Sequence, residues 1–361
     1  MRDDAVENEP LLQQFSPPMT LIQKRQEKGC IVELRAVVSD VSALECWRHR
    51  RAIRPETCAV DGLRDATARA NTFLRNQVKP RFAQDGASVA DSELLVGCSA
   101  PVTVLANGDC ARVKTGQLSS RRCAALPNRS VLTAGGEFAV VGPELCFVQM
   151  AASLSLVDAV LLAFEFCGTY VKLPDGATAY GVRPLTDAGK LRSFAKRAVG
   201  TRGRTNALRA LRFVADGSAS PMETLLVVGL CLPYRLGGFG LPLPKLNREM
   251  RVAGPSGVAR VRYADVCWEE ERLVCEYDSD EFHPDERRPY DLRRRNELRE
   301  AGYTVLEVDK AHVMSAVGFR DFAKRLASLH GKRCCLPQNF DASYVALRAQ
   351  LFGSKRNSLL V

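Results

Sequence analysis

The chain has 361 residues, of which 46% are hydrophobic, so its length and apolar content favour two folded domains. Its 51 Lys and Arg against 41 Asp and Glu give a net charge of +10, which favours polyanionic partners. The 13 cysteines are odd in number, lack a CxxC pair and follow no apolar signal segment, which excludes a disulfide framework and argues against structural zinc. We therefore expect a cytoplasmic protein with reduced and mostly buried thiols.

The first half of the sequence shows mixed helix and strand patterns. Residues 1–40 are charged and lack a clear period, which predicts a flexible N-terminal arm. Residues 41–170 are expected to form an α+β domain for recognition or regulation, beginning with a helix at 42–53. Strand-like runs follow at 94–96, 101–105, 130–132 and 138–141. Helices near 143–152 and 155–167 end this domain, and the second is too short and too acidic for a membrane span.

Two groups of cations stand out in this part of the chain. The first helix contains Arg48, His49, Arg50 and Arg51, which form either a solvated surface or a phosphate contact. A second run has six cations with no acid between them: Lys196, Arg197, Arg202, Arg204, Arg209 and Arg212. For this run too, contact with a phosphate backbone and a plain basic surface are both open.

The remaining boundaries follow from breaker residues. Residues 171–203 are rich in Gly and Pro and are predicted to be a linker region with one basic helix near 190–198. Residues 204–331 are predicted to form a second domain, and residues 332–361 a C-terminal tail.

The second domain has a readable order of elements. Ser220 is predicted to cap a helix, Pro221 suits its first position, and Glu223, three residues after the cap, completes a capping box. The later elements are strands near 242–252, 261–268 and 272–277, a helix at 288–301 and a strand at 303–308. The order helix, three strands, helix, strand predicts an α/β fold.

Three carboxylates lie near the ends of the second and third of these strands. Asp265, Glu276 and Asp278 repel one another unless a cation neutralises them, and Mg²⁺ prefers such oxygen ligands. Asp265 and Glu276 are on adjoining strands, roughly 5 Å apart, and can share one ion. Glu276 and Asp278 alternate with Tyr277 and so share a face. The alternative interpretation is that each is a solvated residue at a strand end.

Three further side chains of this domain have a functional and a structural interpretation. His283 follows on a loop, where imidazole suits a general base or a proton donor, although a lone loop histidine is often incidental. Glu223 is already explained by its capping role. Arg294 is explained by a surface pair with Asp291 or Glu297.

The motifs of this region resemble the PD-(D/E)XK nuclease superfamily, and within it the very-short-patch-repair-like endonuclease domain. The resemblance covers about residues 204–331. Its motifs are the Ser-Pro-x-Glu run at 220–223, the Asp ahead of an aromatic at 265–268, and the Glu-x-Asp to His element at 276–283. A helix and strand pattern follows at Asp291, Arg294, Leu298, Gly302, Tyr303, Val305 and Leu306.

The resemblance implies a restriction-endonuclease-like αβββαβ core beside a separate N-terminal α+β domain. It implies that Asp265 and Glu276 bind Mg²⁺, with Mn²⁺ as an alternative, and that Glu223 supports this ion or a second one. The expected reaction is hydrolysis of DNA phosphodiester bonds, with RNA as an alternative substrate and no role for a membrane. By the same resemblance Asp278 and His283 belong to the catalytic set, and Asp291 and Arg294 line the site with His283. Among the cations of the basic run, Arg204, Arg209 and Arg212 are the candidate substrate contacts, on the density of charge alone.

Three positions depart from the family pattern. Asp278 stands where the superfamily has its lysine, Ser279 replaces a glycine, and Glu307 replaces a frequent arginine. These departures leave open a catalytically inactive nucleic-acid-binding or regulatory protein with the same fold. The N-terminal half resembles the region that precedes such domains in proteins related to abortive-infection antitoxins. A protein-interaction module of a defence or toxin–antitoxin system is therefore a third hypothesis, with an unknown protein partner.

Overall fold

The computed structural model describes residues 33–77, 96–107, 113–123, 125–253, 259–278 and 288–353, and the fold is mixed α/β. Within these ranges the helices are α1 (Asp40–Ile53), α2 (Thr67–Asn76), α3 (Pro143–Met150), α4 (Leu156–Cys167), α5 (Ala188–Arg197), α6 (Arg204–Ala210), α7 (Pro221–Cys231), α8 (Arg288–Glu300), α9 (Lys310–Met314), α10 (Ala316–Leu329) and α11 (Phe340–Phe352). The strands are β1 (Ala36–Val38), β2 (Arg64–Asp65), β3 (Val102–Asn107), β4 (Leu118–Cys123), β5 (Val131–Thr133), β6 (Phe138–Val141), β7 (Tyr170–Lys172), β8 (Thr178–Tyr180), β9 (Lys245–Ala253), β10 (Ala259–Trp268), β11 (Leu273–Asp278) and β12 (Thr304–Asp309).

Helices with a clear cap in the sequence begin where predicted. In α4 the hydroxyl of Ser155 accepts a hydrogen bond of 3.0 Å from the backbone N–H of Asp158. Most of the predicted strand at 94–96, residues 1–32 of the predicted arm and His283 lie outside the described residues. No helix in the described ranges has the length and apolar character needed to cross a membrane.

The N-terminal half is built on a six-stranded mixed sheet of order β2-β5-β6-β1-β3-β4. Its β1–β6 and β3–β4 pairs are parallel, and the other pairs are antiparallel. A separate hairpin joins β7 and β8. Helices and a mixed sheet are therefore combined in this half, in keeping with a mixed α/β fold.

The C-terminal half contains a four-stranded sheet of order β12-β11-β10-β9. The β9–β10 and β10–β11 pairs are antiparallel, as short connections allow, whereas β11 and β12 are parallel and are joined through α8. Together with α7 before β9, this confirms the predicted element order helix, three strands, helix, strand.

One large apolar cluster links the two halves of the chain. It takes in buried residues from Leu34 in the N-terminal half to Leu351 in α11, and one face of the four-stranded sheet packs into it through Val266 and Cys275. A smaller cluster fills the opposite face of that sheet, where Val274 packs with Leu298 of α8. Since side chains alternate along a strand, Glu276 shares the face of Val274, which α8 covers.

Residues 171–203, and residues 332–353 of the predicted tail, are more ordered than a linker and a tail. The first segment contains the β7–β8 hairpin and α5, and Leu191 and Phe194 of α5 are buried in the large cluster. The second contains α11, whose buried residues are Phe340, Tyr344, Leu347 and Leu351. These residues recur at helical spacing along one face, a signal that the sequence shows and that the prediction of a tail overlooked.

The basic cluster of α1 is neither a solvated surface nor a phosphate contact. Arg48 forms a two-pronged ion pair with buried Glu165 of α4, at 2.8 and 2.7 Å. Arg51 is 2% exposed and donates to the carbonyl oxygens of Glu165, Gly168 and Arg183. The arginines thus join α1 to α4, because a guanidinium can satisfy several buried acceptors at once.

Candidate functional site

Glu223 lies in the first turn of α7 and is only 7% exposed. Its N–H donates to the Ser220 hydroxyl at 3.1 Å, which confirms the predicted cap. Its carboxylate oxygen Oε2 accepts a hydrogen bond of 2.9 Å from the N–H of Ala219, one residue before the cap, rather than from Ser220 as in the usual capping box. Glu223 is therefore both a structural element of α7 and a buried carboxylate.

Asn247 of β9 is a second partner of this carboxylate. Its Nδ2 donates to Oε2 of Glu223 and to the carbonyl oxygen of Gly217, both at 2.9 Å. Asn247 has a positive φ of 45°, a conformation that Asn tolerates better than most residues. We did not predict this residue from the sequence, although an Asn inside a strand pattern is a recognisable irregularity.

Asp265 of β10 lies beside both Asn247 and Glu276. The register pairs Ala264 with Arg248 and Val266 with Leu246, which places Asp265 opposite Asn247. On its other side Val266 pairs with Cys275, so Asp265 lies opposite Glu276. Oδ2 of Asp265 accepts a hydrogen bond of 2.8 Å from the N–H of Tyr277.

The carboxylates of Glu223 on α7 and Asp265 on β10 act on one another electrostatically. Burial, and after it the negative charge of Asp265, raise the pKa of Glu223 from its ordinary 4.5 to about 7 against three opposing hydrogen bonds. Burial also raises the pKa of the Cys275 thiol, and the charges of Glu276 and Asp265 add to that shift. Asp265 therefore lies within electrostatic reach of Glu223 and opposite Glu276, which brings the sequence-predicted carboxylates together in two pairs.

Glu276 is neutralised by an arginine from α8. The Glu276 side chain is buried, and its Oε2 accepts a charge-assisted hydrogen bond from Nη2 of Arg294. Nearby, Glu297 of α8 pairs with Arg260 and Arg262 of β10 and so fastens this helix across the sheet. Arg294 is thus placed at the site, and it pairs with Glu276, whereas Glu297 pairs with Arg260 and Arg262.

The donor set fits an open magnesium site with few protein ligands. In the part of the chain that the structure describes, no group of three or more His, Cys, Asp or Glu side chains is arranged to hold a metal ion. Asp265 and Glu276 are two adjacent oxygen donors, which matches the one or two carboxylates that Mg²⁺ commonly takes beside water and phosphate. The side chains of Asp278 and Asp291, and all of His283, lie outside the described residues.

The three arginines expected to contact substrate lie on the N-terminal side of α7. Arg204 donates to the carbonyl oxygens of Ala195 and Lys196, at 3.0 and 3.3 Å, and so closes the C-terminus of α5. Arg209 and Arg212 are exposed on α6 and the 3-10 turn after it. Helix α6 packs on α3, α4 and α5, and so these arginines belong to a different surface from the carboxylates.

Comparisons of the chain with protein-family models, with curated proteins and with solved structures gave no match.

Proposed function

We propose that the chain is a metal-dependent endonuclease that hydrolyses DNA phosphodiester bonds, with Asp265 and Glu276 as ligands of Mg²⁺. The observation that supports this best is the position of Asp265 on β10, near Glu223 of α7 and opposite Glu276 of β11, within an αβββαβ order of elements. A helical carboxylate beside two strand carboxylates is also what the resemblance to the PD-(D/E)XK nucleases implies. The net charge of +10 suits a DNA partner.

Bound Mg²⁺ would polarise the phosphate and lower the pKa of a bound water. Glu223 is suited to receive the proton of the attacking water, since its pKa of about 7 lets it exchange protons near neutral pH. Because Ala219 and Asn247 both donate to Oε2 of Glu223, Oε1 is the oxygen that would accept the proton.

Arg294 supplies a positive charge beside Glu276, a charge that Asp278 in the place of the family lysine does not supply. In the proposed mechanism this guanidinium stabilises negative charge on the phosphate and takes over part of the role of that lysine.

A nucleic-acid-binding protein without turnover is the second candidate, and the Arg294–Glu276 pair favours it. This pair already neutralises the buried carboxylate without a metal ion. Such a protein would act as a regulator in a defence or toxin–antitoxin system. It would bind DNA with an affinity that falls linearly with salt on logarithmic axes and would leave the strand intact.

Incubation with supercoiled plasmid separates the two candidates. With Mg²⁺ or Mn²⁺, the endonuclease should produce nicked circles, and excess EDTA should stop the reaction. Glu276→Gln should slow nicking at least roughly 100-fold, since ligand loss removes several kcal/mol of charge stabilisation. Glu270→Gln, at an exposed carboxylate beyond β10, is the matched control and should nick as the wild type does. Binding without nicking under every metal condition would support the second candidate.

A further inference from the structure

A groove of about 530 Å³ lies between the α3–α4 turn and the segment that leads into α6. Its lining includes Ala151, Leu154, Thr201, Arg202, Asn206 and Arg209. It contains none of the carboxylates of the candidate site. The groove therefore requires its own explanation.

The floor of this groove is fixed by backbone contacts that do not involve its exposed arginines. Gly203 has a φ of 97°, and a Cβ there would lie 2.0 Å from the carbonyl oxygen of Val148. Nδ2 of Asn206 donates to the carbonyl oxygens of Ala151 and Leu154, at 2.9 and 3.0 Å. These contacts, together with those of Arg204 at the end of α5, maintain the local structure. None of them involves the side chain of Arg202 or Arg209.

The charge around the groove is not compensated. Exposed cations of the segment are Lys196, Arg197, Arg202, Arg209 and Arg212, and within the described ranges none of them forms an ion pair with an acid. Arg121 of β4 forms an ion pair with Asp40. Burial is the largest cause that lowers the pKa of Arg121, and the positive charge of Arg202 is the second. Arg202 thus lies within electrostatic reach of Arg121, whose own charge is balanced by Asp40.

A plain solvated surface accounts less well for these features. Surface cations of soluble proteins are usually interspersed with acids, whereas this segment has five exposed cations and no acid. Two of its arginines line a concave surface to which Thr201 and Thr205 also belong. Guanidinium forks and hydroxyl donors are the groups that contact phosphate oxygens in nucleic-acid complexes.

We propose that this groove binds the phosphate backbone of DNA, through Arg202 and Arg209 in the groove and Arg212 beside it. The inference rests on the proposed function, because it states where the DNA of that reaction is held away from the carboxylates. Each arginine that neutralises one phosphate should steepen the dependence of log affinity on log salt by about 0.9.

The test measures binding of a DNA duplex by fluorescence anisotropy in the presence of EDTA. The salt concentration is varied between roughly 50 and 300 mM, the range in which phosphate contacts weaken. Arg202→Gln with Arg209→Gln should reduce the salt slope by about 2 and the affinity at about 0.1 M salt by tenfold to a hundredfold. The matched control is Arg325→Gln with Arg333→Gln, which removes the same charge at two exposed arginines in the C-terminal region. It should bind almost as the wild type does.

Asp265→Asn distinguishes this inference from the proposed function, since it should stop nicking and keep the wild-type salt slope. If the wild type binds DNA through the groove arginines but never nicks it, the endonuclease proposal is contradicted and the groove proposal stands. Equal salt slopes for the groove variant and the wild type, with equal thermal unfolding, would overturn the groove proposal whatever the nicking activity. Equal losses in the groove and control variants would overturn it as well, because net charge alone would then explain binding.

Discussion

The side-chain amide of Asn247 on β9 donates a hydrogen bond of 2.9 Å to the carboxyl group of Glu223 on α7. Asp265 lies opposite Asn247 on the paired strands, so Asn247 both contacts Glu223 and faces Asp265. The position of α7 against the sheet and the geometry of the candidate site are therefore fixed by the same contacts. Changes at these residues should affect stability and chemistry together.

Glu223 should give the protein a pH-dependent stability that Glu223→Gln removes. Because folding raises its pKa from 4.5 to about 7, the native state binds the proton more tightly than the unfolded state. Below about pH 4.5 the group is protonated in both states and carries no penalty, and the free energy of unfolding falls as the pH rises to about 7. The full loss is on the order of 3 kcal/mol.

Urea unfolding at pH 5 and pH 8 in chelator measures this effect. The Gln variant should lose less stability between the two values than the wild type does, since Gln can accept the same two hydrogen bonds without a charge. If the variant lost as much unfolding free energy between pH 5 and pH 8 as the wild type does, Glu223 would have to be ionised in both the folded and the unfolded protein over this range.

Asp265→Asn should reduce the same pH dependence only in part. Burial is the larger cause of the raised pKa of Glu223, and the charge of Asp265 is the second. The slope of unfolding free energy against pH should therefore fall between those of the wild type and of Glu223→Gln. A slope equal to that of the wild type would mean that the two carboxylates do not interact.

The buried Arg48–Glu165 pair should be essential for folding stability. Its side chains are 12% and 3% exposed, and Arg48→Met would leave the carboxylate of Glu165 buried without its main partner. Loss of one partner of such a pair costs roughly 3–5 kcal/mol. Lys190→Met, which breaks the exposed Lys190–Asp187 pair, should cost less than about 1 kcal/mol. Chemical unfolding of both variants checks the contrast, and similar losses would contradict it.

Gly203→Ala should destabilise the protein far more than Gly200→Ala. Both glycines have positive φ, 97° and 81°, so both variants pay a similar backbone cost of about 1 kcal/mol. Only at Gly203 would the new methyl group meet backbone atoms of α3, whereas nothing lies within 4 Å of it at Gly200. The melting temperatures should separate clearly, and equal values would refute the close approach of α6 to α3.

Features encoded over a few residues could be predicted from the sequence. The cap at Ser220 depends on a residue three positions away, and the strands around Asp265 and Glu276 are marked by apolar runs. Partners far apart in the chain could not be predicted, because no local pattern specifies them. Arg48 and Glu165 are 117 positions apart, and Asn247 reaches Glu223 only through the strand geometry of β9.

The pairing of Glu276 with Arg294 shows the same limit within the candidate site. Local spacing suggested a surface pair for Arg294, whereas the packing of α8 on the sheet directs it to a buried carboxylate 18 positions away. The expected cluster of carboxylates is present, but its charge is partly balanced by the protein itself.

Calorimetric titration of the protein with Mg²⁺ is the most direct test of the proposed metal site. The wild type should bind the ion with measurable heat, and Asp265→Asn and Glu276→Gln should each weaken the affinity at least about tenfold, as loss of one of two protein ligands implies. Glu270→Gln should bind as the wild type does. Absence of binding to the wild type, or equal affinity in Asp265→Asn and the wild type, would contradict the assignment of these carboxylates as a metal centre.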